Sequence, residues 1–146
     1  MGDMYMDRFE IRGNNGYIAI EIGETSHSSE DISIFGGYDV IGRIDIKSGN
    51  YRACGALWLN TKELYNFFIT LKECWSNLKG EVKFMTYESD LELVIKFDKF
   101  GHVIIHGNYI ERHDEGNKLI FEIISDQSFM QETIRNLSNI ISKYDK

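Results

Sequence analysis

The chain has 146 residues, 42% of them apolar and 13% aromatic, and its 23 Asp and Glu against 16 Lys and Arg give a formal charge of −7. This length supplies one core of ordinary size, the apolar content excludes intrinsic disorder, and the acidic balance opposes any grip on phosphate backbones or anionic lipid. A single domain over residues 1–146 and a basic macromolecular partner are the corresponding expectations, although a charge of −7 is also ordinary for a soluble domain.

Residues 9 to 22 alternate apolar and polar around Gly13, Asn14, Asn15 and Gly16, which predicts a hairpin of two edge-type strands. The stretch 23 to 37, with Ser, Glu, His and paired glycines, reads as a loop. Val40, Gly42, Ile44 and Ile46 then alternate strictly. Ser48, Gly49 and Asn50 turn the chain, and Tyr51, Ala53, Gly55, Leu57 and Leu59 alternate again, giving a second hairpin. Asn60 is placed as an N-cap with Glu63 three residues on, and Gly80 as a left-handed stop, which predicts a helix over 61–79. Its apolar stripe is Leu64, Phe68, Leu71, Trp75 and Leu78, joined by Phe67 and Cys74.

Strand patterns resume at 81 to 87, 91 to 97, 102 to 111 and 118 to 124. Asp126 caps a second helix striped by Met130, Ile134, Leu137, Ile141 and Tyr144. Sliding the chain by sixty-six residues lays the second helix pattern on the first, so two ββββα halves are legible. A duplication and two helices that each need the same stripe account for this equally well. The fold class expected is α+β: about eight antiparallel strands in a twisted sheet, with two amphipathic helices packed on one face.

No constellation for catalysis, cofactor or metal stands out. His102 and His106 share one side of a strand, but four strand residues span about 13 Å, too far for one metal. Cys54 and Cys74 are too few and too ill-spaced for a disulfide framework or a zinc pair, and read as reduced core thiols. The opening MGDMYMDRFE has neither a basic start nor an apolar run, and no stretch is long enough to span a bilayer, so the cytoplasm is the expected compartment. What remains for partner binding is three acidic clusters in or beside predicted loops: Glu24, Glu30 and Asp31; Glu88, Asp90 and Glu92; Glu111, Asp114 and Glu115. Tyr65 and Ile69 join them as a partly exposed flank of the first helix. Such charges also serve as plain solvated edges.

From about Tyr38 to Tyr144 the succession of strand, helix, LKGEVKF, FGHVIIHG and NKLIFEIISDQSF, leading into a final amphipathic helix, resembles the WapI-type immunity proteins. The sharpest part is Lys118 to Phe129, with Asp126-Gln127 opening the helix. The family tends to place a Trp soon after an Asp at the start of its third strand, whereas here Asp39 is followed by Val40 and Ile41. The resemblance implies a small cytoplasmic antitoxin that neutralises the toxic C-terminal domain of a wall-associated, contact-dependent effector, often a nuclease. It carries over no toxin-binding residue. Acidic loops suit that role, because a nuclease is basic where it holds phosphate. Two other readings stand beside it: a small-ligand module with a pocket lined by Phe84, Leu93, Phe97 and Phe121, and a hydrolase or metal enzyme using His102 and His106.

Overall fold

The computed structural model describes residues 7–23 and 37–143. Their order is β1 (Asp7–Arg12), β2 (Gly16–Ile22), β3 (Asp39–Ser48), β4 (Tyr51–Asn60), α1 (Thr61–Asn77), β5 (Gly80–Met85), β6 (Leu91–Phe97), β7 (His102–Tyr109), β8 (Leu119–Asp126) and α2 (Gln127–Ile141). The class and the ββββαββββα order are as the sequence predicts. The predicted loop at 23 to 37 falls mostly outside the described residues, as does Tyr144.

The single eight-stranded sheet resolves instead into two antiparallel meanders, β1-β2-β3-β4 and β5-β6-β7-β8. One physical reason is α1, whose 17 residues carry the chain roughly 25 Å past the end of β4. The other is that side chains of the second sheet already occupy the outward edge of β4. The Tyr109 hydroxyl donates to the Ala56 carbonyl at 2.7 Å, and the Trp58 N–H points at Asp90 Oδ2 at 3.4 Å. No room is left there for β5. The first hairpin differs in a smaller way, since β1 is an edge strand but β2 is interior.

Alternation decides which residues are buried. Phe9, Ile11, Ile18, Ile20, Ile44, Ile46, Leu57 and Leu59 of the first sheet point inward, as do Val82, Phe84, Leu93, Ile95, Val103, Ile105, Phe121 and Ile123 of the second. These residues join the stripes of both helices in one apolar cluster. The helices bridge the sheets reciprocally: α1 follows the first sheet and packs on β5, while α2 follows the second and packs on β1. Thr133 of α2 fixes this exchange by donating its hydroxyl to the Glu10 carbonyl at 2.6 Å.

The N-terminus of α1 is capped as predicted: Asn60 Oδ1 accepts from the Lys62 N–H at 2.8 Å, and the Glu63 carboxylate accepts from the Asn60 backbone. The stop differs. Leu78, not Gly80, takes the left-handed C-cap position at φ 50, at a cost of roughly 1–2 kcal/mol, while Gly80 at φ +105 swings the chain into β5. Leu64, Phe67, Phe68 and Leu71 are buried, each worth about 1.5–3 kcal/mol. Trp75 is only half-buried, and its indole N–H donates to the Gln127 carbonyl at 3.0 Å.

Candidate binding surface

An antiparallel meander brings alternate turns to the same end of its sheet. The β5–β6 turn and the β7–β8 connection therefore lie side by side, and with them two of the three acidic clusters. The turn is held by Thr86, whose Oγ1 accepts from the backbone N–H groups of Asp90 and Leu91 at 3.1 and 3.2 Å. The connection is tied to the turn by the Ile110 N–H, which donates to the Asp90 carbonyl at 2.8 Å. His113 Nε2 lies 3.4 Å from Asp90 Oδ1. Within the connection Arg112 forks onto Asp114 at 3.2 and 2.9 Å and reaches Glu115 at 3.9 Å.

Glu88, Glu111, Asp114 and Glu115 are exposed at this end and Glu92 is half-buried. Asp90 departs from its expected place in an exposed loop, being only 6% exposed. Its side chain fastens the two sheets and the connection together instead of facing solvent. Glu24, Glu30 and Asp31 lie outside the described residues.

The concentration of carboxylates registers on its neighbours. Burial and then Asp39, Glu88, Glu63 and Asp90 raise the phenol of Tyr87. Burial, followed by Glu111 and Asp90, pushes Tyr109 up to about 12. Burial also lifts the Glu63 carboxyl, whereas the Arg112 guanidinium holds Asp114 below the usual carboxylate range.

This end abuts an apolar pair on the outward face of the first sheet. Ile41 and Trp58 are direct cross-strand partners, and they are 55% and 43% exposed. The connection comes up against β4 at Gly55, where a Cβ would sit 2.3 Å from the Tyr109 hydroxyl and 3.1 Å from Glu111 Oε2. A larger residue there would have to displace the Tyr109 hydroxyl. The result is an exposed indole beside an isoleucine, on a strand whose backbone is tied to the acidic end where the Trp58 N–H meets Asp90. An apolar centre with a charged rim is the anatomy of a protein-binding patch.

The sequence reading missed Trp58 and Ile41. The signal was present: in the alternation of Gly55, Leu57 and Leu59, Trp58 takes the outward position shared by Arg52, Cys54 and Ala56. The same alternation corrects the expectation that Cys54 is a core thiol. It is exposed, with its Sγ donating to Asp45 Oδ1 at 3.4 Å, while Cys74 is buried as expected.

Tyr65 and Ile69 are part-exposed on α1 as predicted, at 37% and 44%, with the Lys62 ammonium over the Tyr65 ring. His102 pairs with Asp98 at 3.1 Å and His106 with Glu122 at 3.8 Å, so each imidazole has its own carboxylate. Among the described residues no group of three or more His, Cys, Asp or Glu is arranged to hold a metal ion, and no helix is long and apolar enough to cross a membrane. Phe84, Leu93, Phe97 and Phe121 are core residues rather than a pocket lining. Phe84 packs on Phe67 with ring centroids 4.7 Å apart, and Phe121 and Leu93 close over Gly107, leaving no room there for a Cβ. A groove of about 470 Å³ between β1 and α2 is lined by Arg8, Arg12, Glu10, Phe129 and Glu132 among others, but its guanidiniums are already paired with Glu10.

In comparisons with known proteins, the model of the immunity protein WapI-like family matches residues 8–145. No curated protein matches the chain.

Proposed function

Because the chain belongs to the immunity protein WapI-like family, we propose that it binds and neutralises the toxic C-terminal domain of a cognate wall-associated, contact-dependent effector. In this proposal the target is a basic nuclease, the encounter takes place in the cytoplasm, and the protein acts as a stoichiometric inhibitor without catalysis or cofactor. The observation that carries it is the pairing of Trp58 and Ile41 with the acidic end of the second sheet.

Each part has a physical task. Glu88, Glu92, Glu111, Asp114 and Glu115 set a negative field that speeds encounter with a cationic surface and disfavours acidic competitors. The carboxylates take the place of nucleic-acid phosphates and so block the substrate path. Trp58 and Ile41, desolvated on contact, supply the slow off-rate that surface charge alone does not. Asp90 and Tyr109 act one layer below, holding the acidic connection against β4 so that charge and anchor are presented together.

Co-expression with the toxic domains encoded beside this gene tests the proposal. Growth is rescued for one of them, and the two purified proteins form a stable complex. Failure to rescue with every neighbouring domain overturns it.

A further inference from the structure

A sheet edge exposes N–H and C=O groups that must find partners, and the described residues form four such edges. Three receive hydrogen bonds from elsewhere in the chain. On β1, the Glu10 carbonyl accepts from Thr133 and the Arg12 carbonyl from Ser125. On β4, Tyr109 and Asp90 reach Ala56 and Trp58. On β8, Asn14, Asn15 and Ser48 bond to the backbone of Glu122 and Ile124.

The fourth edge is β5. The bond from the Thr86 N–H to the Leu91 carbonyl fixes the phase of its ladder. In that phase Gly80, Val82 and Phe84 bond to β6, while Glu81, Lys83 and Met85 present their backbone groups outward. Among the described residues nothing bonds to those outward groups. The three side chains are exposed as well, Met85 at 55%.

Charges on an edge strand normally discourage pairing. Here their order matters more than their presence. Running antiparallel to itself about Val82, the strand sets Glu81 opposite Lys83 of the second copy and Lys83 opposite Glu81. All four are residues whose backbone groups point outward, so the electrostatic register and the hydrogen-bonding register coincide. The alternative centred on Lys83 opposes two ammonium groups and is disfavoured. We propose that β5 is a self-pairing edge, through which two copies of this chain join their second sheets into one continuous eight-stranded sheet. The short strand makes this a weak, concentration-dependent dimer.

Sedimentation equilibrium on the full chain over a range from low micromolar to about millimolar tests it. The apparent mass should rise from 17.0 kDa toward twice that value, and at least tenfold more protein should be needed for Lys83→Glu or Glu81→Lys alone to reach the same mass. Mixing the two variants should restore the association, because Glu at 81 and 83 of one copy then faces Lys at 83 and 81 of the other. Both substitutions fall on exposed side chains, and a far-ultraviolet spectrum checks that each variant is folded. A wild-type chain that stays at monomer mass throughout, or an association that neither reversal weakens, overturns the proposal. So does a mixture that pairs no better than the variants alone.

Discussion

Replacing Tyr109 by Phe removes one oxygen from the seam between the sheets and leaves the ring in place. That hydroxyl donates to the Ala56 carbonyl at 2.7 Å from a side chain only 3% exposed, while Ala56 itself is exposed, so the change deletes a part-buried hydrogen bond whose acceptor can turn to water. The cost is about 0.5–1.5 kcal/mol, which for a chain of 146 residues lowers Tm near neutral pH by roughly 1–6 °C. The alkaline limb gives a sharper test. Burial first, then the Glu111 and Asp90 carboxylates, raise the phenol from 10.0 to about 12. The folded state thus keeps its proton where the unfolded chain has lost it. This contribution to stability is complete below about pH 10 and is lost as pH rises toward about 12. Two pKa units correspond to roughly 2.7 kcal/mol, so the wild-type advantage over Tyr109→Phe shrinks by that order across the window. The chain has eight tyrosines, and those common to both proteins cancel in the difference. Urea unfolding of the two proteins at steps from about pH 8 to about pH 12 measures it. A stability gap that stays constant over that range, or no loss of Tm at neutral pH, refutes the placement of Tyr109 as the buried bolt between the sheets.

Trp58→Ala should leave stability within about 1 kcal/mol of wild type, since the ring faces outward, yet weaken toxin binding by at least 2 kcal/mol, roughly 30-fold, mainly through faster dissociation. Surface plasmon resonance with the rescued toxic domain reads both rates, and an unchanged off-rate removes Trp58 from the interface. Reversing Glu111, Asp114 and Glu115 to Lys should slow association about tenfold at low salt, with the difference closing as ionic strength rises. A salt-independent on-rate would exclude the acidic end from steering. In the core, Leu71→Ala should cost about 2–5 kcal/mol because the side chain has no exposure, and Trp75→Ala should cost less because the indole is half in solvent. Thermal melts that reverse this ranking would contradict the packing of α1.

The element order was legible because each element is written locally. Leu57 and Leu59 alternate, Leu64, Phe68 and Leu71 recur at helical spacing, and Asn60 and Asp126 cap the helices they precede. Two of the acidic clusters were legible in the same way, as charges beside turn residues. The burial of Asp90 was not, because its environment comes from Trp58 and His113, thirty-two and twenty-three positions away in sequence. The apolar anchor was half-legible: the outward phase of Trp58 is in the strand pattern, but its neighbour Ile41 becomes its partner only through the register of β3 with β4.

Local periodicity thus fixes which strand and helix positions face inward and where those elements begin, since both depend on neighbours within a turn or two. How eight strands divide into sheets depends on contacts between distant residues. Tyr109 reaching Ala56, Asp90 reaching Trp58 and Thr133 reaching Glu10 close the edges of β4 and β1 and, among the described residues, leave β5 open. Which edges are closed is decided by where polar groups meet in three dimensions, and only the folded chain brings those groups together.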